Sequence, residues 1–468
     1  MAQWQALPGA KSPRQANTFA DGFDGDNNAF FVSLNAYVSG YGWDFDKHPA
    51  LATRKGRTTY GSAGSGQTRL LTNFGITHLV RAVGAQFSYW NGSDWAAIAG
   101  TFTDTDWDST NFDINGPALI LTNGVETPQY WNGSALAALT GTPPVGKYIA
   151  SDNRRVYIAV NDEVHYCAFQ NALDWTSAEN SGIVEYYTPN GGNITGMRAF
   201  EGNIWVFKKD AYCLIFHTGD SRATHRLVEG SNDIGCLSFK TIAEVGPYLM
   251  WLGQNGVYLG AGGAAREIGE PVRNILQTIN PAAVDAACAW TDGRMYYLCI
   301  PTGGNTTPDT ELVYSSEYKK WHIRSISLGG MRYGTQLNNV SYGGWSSGQV
   351  YKLNDGTTDA GAAIPYRVTS RPYDEGFKEA EKEYYQMKLQ GFLGAGAALT
   401  VSISTEDRGE SFTVLDTMAA GTVTQSKDVI VPMDTVPLTH WMRYRLEGTG
   451  CIEINEVQRY ARVQPVQE

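Results

Sequence analysis

No run of apolar residues in this 468-residue chain approaches the ~18 that a helix needs to cross a bilayer. The opening stretch, MAQWQALPGAKSPRQ, also lacks the apolar core of a cleavable signal, so synthesis in a cytoplasm without signal-dependent export is expected. Basic runs are missing too. The 36 Lys and Arg are dispersed and outnumbered by 47 Asp and Glu, for a net charge of −11. That argues against a nucleic-acid binder relying on phosphate neutralisation, and leaves open a surface along which DNA must slide without sticking. The six cysteines, Cys167, Cys213, Cys236, Cys288, Cys299 and Cys451, form no C-x-x-C pair. A zinc site or a disulfide frame is therefore not expected, and reduced, buried thiols are. The seven histidines, His48, His78, His165, His217, His225, His322 and His440, have no metal-ligating spacing. Helix signals are scarce. One lies at Glu270–Asn280, where Pro271 precedes Val272, Ile275, Leu276 and Ile279 on one face and Pro281 ends the run. Asp374–Glu383 is so charged that a linker fits as well as a helix.

What the chain has is glycine (52 residues) and aromatics, including 13 Trp and 26 Tyr. The aromatics come in a repeated phrase. YWNGSDW (Tyr89–Trp95) returns as YWNGSAL (Tyr130–Leu136) 41 residues later. Asn-Gly between alternating apolar residues predicts a two-residue type I′ hairpin, with φ > 0 at both central positions. The pattern then recurs with changed wording around Arg154–Phe169, Gly202–Phe216, Tyr248–Gly260, Arg294–Ser316 and Val340–Leu353. Anchors taken from one strand of each hairpin are Tyr89, Tyr130, Tyr166, Leu214, Tyr258, Tyr314 and Tyr351, spaced 36 to 56 residues apart. A period near 40–45 residues is that of a four-stranded propeller blade, whose exposed face only the next blade can bury.

The expected fold is therefore all-β: a propeller of six or seven blades over residues 58–360. It is followed by a β-sandwich at 361–468, where the repeat stops and strands alternate at sandwich spacing. Residues 1–57 read as an irregular N-terminal arm with one strand at Asn28–Tyr37.

Candidate chemistry is thin. Asp24, Asp26 and Asn28 alternate as in a calcium loop, but Ala29 and Asn35 stand where an EF-hand needs Gly and Glu. Asp104, Asp106 and Asp108 could supply a glycosidase pair, yet carboxylates at alternate loop positions usually face water. GSAGSG (Gly61–Gly66) lacks the Lys-Ser/Thr of a phosphate loop, and GAGGAAREIG (Gly260–Gly269) reads as a blade-to-blade connection. Asn91 and Asn132 match the glycosylation sequon, but the turn already explains them. TEDRGESF (Thr405–Phe412) fits the Asp-box of sialidase propellers, a hairpin device in which the Asp caps its own turn. No catalytic, cofactor-binding or metal residues are assigned, and the chain is not expected to be an enzyme.

Taken together, the chain resembles the tail hub, nozzle or packaged-DNA-stabilisation proteins of tailed, especially short-tailed, bacteriophages. The resemblance rests on the order of parts, arm, propeller and terminal β-domain. It rests also on ITGMRAFEGNIWVFKKDAYCLIFHTGD (Ile194–Asp220), AEVGPYLMWLGQNGVYLGAGGAAREIGEPVRNIL (Ala243–Leu276) and VSISTEDRGESF (Val401–Phe412). It spans roughly residues 60–468. It implies a virion protein made in the host bacterium, forming a homo-oligomeric ring, commonly hexameric, below the portal–adaptor complex. Such a ring retains packaged double-stranded DNA without sequence-specific binding, conducts it at ejection, and carries tail fibres or spikes. The alternative is a host-surface carbohydrate-binding or glycan-hydrolysing propeller, for which Trp90, Trp107 and Trp131 with Asp104 and Asp106 are the candidates.

Overall fold

The computed structural model describes residues 15–464, apart from 179, 190, 221–222, 327–328, 407–409 and 422–424. The chain divides into two compact units. One comprises Thr58–Tyr318 and Ile326–Leu353, the other Met1–Arg57, Lys319–Ser325 and Asn354–Glu468.

The first unit is a seven-bladed β-propeller built from seven antiparallel sheets. Blade 1 holds Thr68–Phe74, His78–Val83, Gln86–Trp90 and Trp95–Ala97, and blade 2 Asp108–Asp113, Pro117–Thr122, Gln129–Trp131 and Leu136–Ala138. Blade 3 holds Tyr148–Asp152, Arg155–Val160, Glu163–Tyr166 and Gly182–Glu185, and blade 4 Gly196–Phe200, Asn203–Phe207, Tyr212–His217 and His225–Ser231. Blade 5 runs through Ala243–Val245, Tyr248–Leu252, Val257–Ala261 and Ala264–Glu267. Within this unit blade 6 contains Cys288–Thr291, Met295–Ile300 and Thr310–Ser315, and blade 7 Met331–Leu337, Val340–Trp345 and Val350–Leu353. All seven anchors read from the sequence fall on the third strand of their blades. The ends of the unit meet where Tyr60 and Gly64 donate backbone hydrogen bonds to Val350 (2.9 Å) and Gly348 (3.0 Å) of blade 7.

Aromatics and aliphatics fill the seams between blades, as period-two alternation requires. Tyr89 of blade 1 packs against Trp131 of blade 2 with ring centroids 5.1 Å apart. Trp131, Trp107, Leu119 and Leu121 join Leu79, Val80 and Tyr333 in one buried cluster shared by blades 1, 2 and 7. Each fully buried side chain of this size contributes about 1.5–3 kcal/mol.

The Asn-Gly hairpins differ from expectation. Each is a four-residue loop, with Trp90 paired to Trp95 and Trp131 to Leu136. Only Gly92 (φ 103°) and Gly133 (φ 93°) take positive φ, not the asparagines. Instead Asn91 Oδ1 accepts from Ser93 N (2.9 Å) and Asp94 N (3.0 Å), and Asn132 Oδ1 repeats this with Ser134 N (3.0 Å) and Ala135 N (2.9 Å). The asparagine side chain organises the loop, so no mirror-image turn is needed. Two-residue turns with both φ positive occur elsewhere, at Asn153-Arg154, Glu201-Gly202, Gly262-Gly263 and Asn338-Asn339. GAGGAAREIG thus makes a hairpin inside blade 5 and is not a connection between blades. The expected helix is a 3₁₀ turn, Glu270–Val272, running into one α-helical turn, Arg273–Leu276.

The second unit contains two six-stranded sheets. In one, the order is Trp43–Asp44, Leu51–Thr53, Ile452–Val463, Lys382–Leu393 and Gln425–Pro432, with Gln15–Asn17 also pairing Ile452–Val463. In the other it is Gly22–Phe23, Ala36–Tyr41, Pro365–Ser370, Arg443–Thr449, Ala398–Ser404 and Thr413–Ala419. The segment 361–468 therefore does not form its sheets alone, and residues 15–53 are not a free arm. They supply strands to both sheets, and the strand expected at Asn28–Tyr37 lies at Ala36–Tyr41. The reason is visible in the core. Arg459, fully buried, donates to Glu375 Oε1 (2.8 Å) and to Asn17 Oδ1 (2.8 Å), and Tyr444 Oη donates to Asn17 Oδ1 (2.7 Å). A buried guanidinium needs its donors satisfied, and an N-terminal side chain satisfies one of them. Asp374–Ala380 carries no strand or helix, so this stretch serves as a linker into Lys382–Leu393.

Candidate functional site

The first strands of the propeller blades, with the short segments that lead into them, converge on a cavity of about 480 Å³. Its walls come from residues 70–73, 107–111, 198, 239–240, 242–244, 289–291 and 333–336, in blades 1, 2, 4, 5, 6 and 7 or the segments leading into them. At its base lies an ion-pair node. Asp106 accepts from Lys240 Nζ (2.7 Å) and from Arg332 Nη2 through both oxygens (2.9 and 3.0 Å), with Arg69 Nη1 at 3.4 Å. Arg69 Nε also binds Asp104 Oδ1 at 2.6 Å. Arg69, Asp106 and Arg332 each stand one position before the wall segments of their own blades, and Lys240 lies within the wall segment that leads into blade 5.

Burial by itself would raise the Asp106 carboxyl, but Lys240 and Arg332 beside it hold it below the usual range. Lys240 is buried and its ammonium is pushed down by desolvation, which Asp106 opposes. Asp108 behaves differently. Desolvation pushes it up to about 6, against the pull of Arg198 and of the Ile149 and Ser109 amides that its oxygens accept (3.0 and 2.9 Å). Three carboxylates two residues apart thus occupy three settings. Asp104 is half exposed, Asp106 is neutralised by cations, and Asp108 is capped by backbone.

This arrangement separates the sequence candidates. Asp106 and Asp104 are drawn together through Arg69. Trp107 and Trp131 are core residues, 1 % and 0 % exposed, and Trp90 stacks on Tyr60 at 4.0 Å. The tryptophans and carboxylates therefore do not build one aromatic-lined pocket. The Asp24 carboxylate accepts from Asn27 N and Nδ2 (3.3 and 3.1 Å), and Asn28 Oδ1 from Phe30 N (3.1 Å), so that loop is organised by its own turn bonds. Gly61–Gly66 sits at the propeller closure, where Arg81 Nη1 binds Ser62 O and Gly348 O. A G-x-S-x-G spacing at Gly344–Gly348 lies in a blade 7 hairpin, without the strand-to-helix turn that presents a nucleophile. In the Asp-box stretch, Asp407, Arg408 and Gly409 lie outside the described residues. Five cysteines are buried and Cys451 is exposed, a departure from the expectation for all six. Among the described residues no group of three or more His, Cys, Asp or Glu is placed to hold a metal ion. No helix among them is long and apolar enough to cross a membrane.

The residues that sequence reading missed are Arg69, Arg198, Lys240 and Arg332. Each is a single charged residue at a blade's first strand or just before it, and no local motif marks it. Counting back from each third-strand anchor to the first strand would have aligned several of them.

No protein-family model matches the sequence, and no curated sequence relative matches it. Similar solved structures are propellers. The extracellular domain of the one-component system BT4673 of B. thetaiotaomicron superposes with a TM-score of 0.44 at 9% identity over 64% of this chain. The WD40 β-propeller domain of Doa1 gives 0.43 at 9% over 64% of this chain and 97% of its own. YCF48 bound to D1 peptide gives 0.41 at 10% over 66% and 96%. This chain spans 40% of the length of the B. thetaiotaomicron domain.

Proposed function

We propose that this chain is a structural virion protein of a tailed bacteriophage, a subunit of the tail hub or nozzle ring below the portal–adaptor complex. In this role it retains packaged DNA, lines its exit path and carries fibres or spikes. The observation that carries the reading is the order of parts: a propeller inserted into a β-unit to which both the N-terminal and C-terminal segments contribute strands. The resemblance rested on an arm, a propeller and a terminal β-domain in sequence; the propeller and the terminal strands stand, and the expected arm joins those strands in one unit. The charge supports it. A conduit must release DNA in one event, and strong Lys/Arg–phosphate contacts would oppose release. A net charge of −11 per chain, multiplied around a ring, repels a polyanion at close range, with a reach of about 8–10 Å in salt. At the cavity, Lys240 and Arg332 are committed to Asp106 and are not free for phosphates.

Ring closure needs a heterologous interface, one patch on each subunit meeting a different patch on the next. The test is to purify the chain with its adaptor ring, image the assembly, and measure affinity for linear duplex DNA at physiological salt. A ring with DNA binding weaker than micromolar is expected. A persistent monomer beside the adaptor, or submicromolar DNA binding by the isolated chain, overturns the proposal.

A further inference from the structure

The cavity of the propeller has a lining that the tail role does not use. Its floor is the Asp106 node, in which Lys240 Nζ and Arg332 Nη2 both donate to one carboxylate. Above the floor the wall is polar. Arg198 of blade 4 and Glu244 of blade 5 supply opposite charges from neighbouring blades. Thr335 and Gln336 of blade 7 add a hydroxyl and a carboxamide, and Asn73 of blade 1 another carboxamide. The aromatic rings behind them, Trp107 and Trp290, are buried and present little face to the cavity.

The charge and hydrogen-bond inventory narrows the occupant. Opposite charges balance across the wall, so a phosphate or other strong anion gains no net field. With few accessible apolar atoms, a hydrophobic ligand would strand polar groups without partners. The wall offers guanidinium, carboxylate, amide and hydroxyl groups together, that is, donors and acceptors in similar number. A neutral ligand carrying many hydroxyls answers both. About 480 Å³ lies within the range of small-ligand pockets.

We propose that this cavity is a binding site for a neutral saccharide of one or two residues. Arg198 and Gln336, on opposite sides of the blade sequence, grip its hydroxyls, and Glu244 accepts from them. Of the Trp90, Trp107, Trp131, Asp104 and Asp106 set considered from the sequence, Trp107 lines this cavity and Asp106 lies at its base, while Trp90, Trp131 and Asp104 do not line it; the site requires no catalysis. It stands whether or not the chain belongs to a phage tail.

The experiment uses the full chain and a panel of glucose, galactose, N-acetylglucosamine, lactose and sucrose, with inorganic phosphate as the anionic probe. Binding is read by saturation-transfer NMR and by titration calorimetry. At least one sugar should bind in the millimolar range or tighter, and phosphate should not. Arg198→Ala and Gln336→Ala should each weaken that binding at least tenfold. Both positions are partly exposed, so unchanged melting temperatures would show that folding is intact. If either variant melts early, Thr335→Val replaces it as a milder change to the same wall. Silence from the whole panel, preferential binding of phosphate, or sugar binding unchanged in the variants overturns the proposal.

Discussion

Nζ of Lys240 donates to Oδ2 of Asp106 at 2.7 Å, although 134 residues separate them in the chain. The pair, with Arg332 and Arg69, ties blades 1, 2, 5 and 7 together at the centre of the propeller. Removing the carboxylate strands a buried ammonium and a nearly buried guanidinium. Asp106→Asn should therefore cost about 3–5 kcal/mol, seen as a lower urea midpoint. Asp106→Asn combined with Lys240→Met should recover part of that loss. A double variant no more stable than the single one would show that Lys240 is not the partner that matters.

The repeated loops make a second prediction. Gly92 and Gly133 share a positive φ that a β-branched residue resists. Valine at either position should cost on the order of 1–3 kcal/mol. Gly133 should be the more sensitive, because a Cβ there would come 3.3 Å from Phe74 Cε1 while none meets anything at Gly92. Near-neutral melting at both sites would mean that the loops are not held as described.

A pH dependence resides in the second unit. His322 is fully buried, its Nδ1 3.0 Å from the Tyr37 hydroxyl, and desolvation holds its pKa down to about 3 from 6.5. The folded state thus resists protonation that the unfolded chain accepts. The stability this confers is complete above pH 6.5 and is lost as pH falls toward about 3. Between pH 6.5 and about 4.5, above most carboxylate titration, the loss from His322 should be about 2–3 kcal/mol. His225 in blade 4, lowered to about 4, acts with the same sign. The difference between wild type and His322→Gln, measured by denaturant midpoints across that range, therefore isolates His322. Parallel profiles would rule it out.

Hydrolysis of bacterial polysaccharides should be undetectable. Asp104 and Asp106 are both engaged by Arg69, and Asp106 also by Lys240 and Arg332, so neither is poised to pass a proton to a leaving group. Reducing-end assays on capsular and lipopolysaccharide preparations test this. Turnover that disappears in Asp104→Asn, whose side chain is half exposed and outside the core, would establish a glycosidase.

The blade rhythm was legible because each hairpin is local. Tyr89, Tyr130, Tyr166, Leu214, Tyr258, Tyr314 and Tyr351 lie on equivalent strands because a third strand must present an apolar residue to the next blade. Turn type was less legible. Asn91 and Asn132 shape their loops through side-chain acceptors, whereas Asn338 and Asn339 enter the left-handed region themselves. The same residue serves both purposes, and neighbouring strands decide between them.

Glycine content, aromatic spacing and alternation thus determined by themselves that this chain is all-β and that its middle 300 or so residues form a propeller. They act over a few residues, within reach of one hairpin. Tertiary structure alone decided the rest. It paired Gln15 with Arg459 and Tyr37 with Ser370, making the expected arm part of two sheets. It also brought Arg69, Asp106, Lys240 and Arg332 to one point. Those contacts depend on closure of the ring and of the sheets, and a charged residue alone on a strand carries no mark of the partner it will meet.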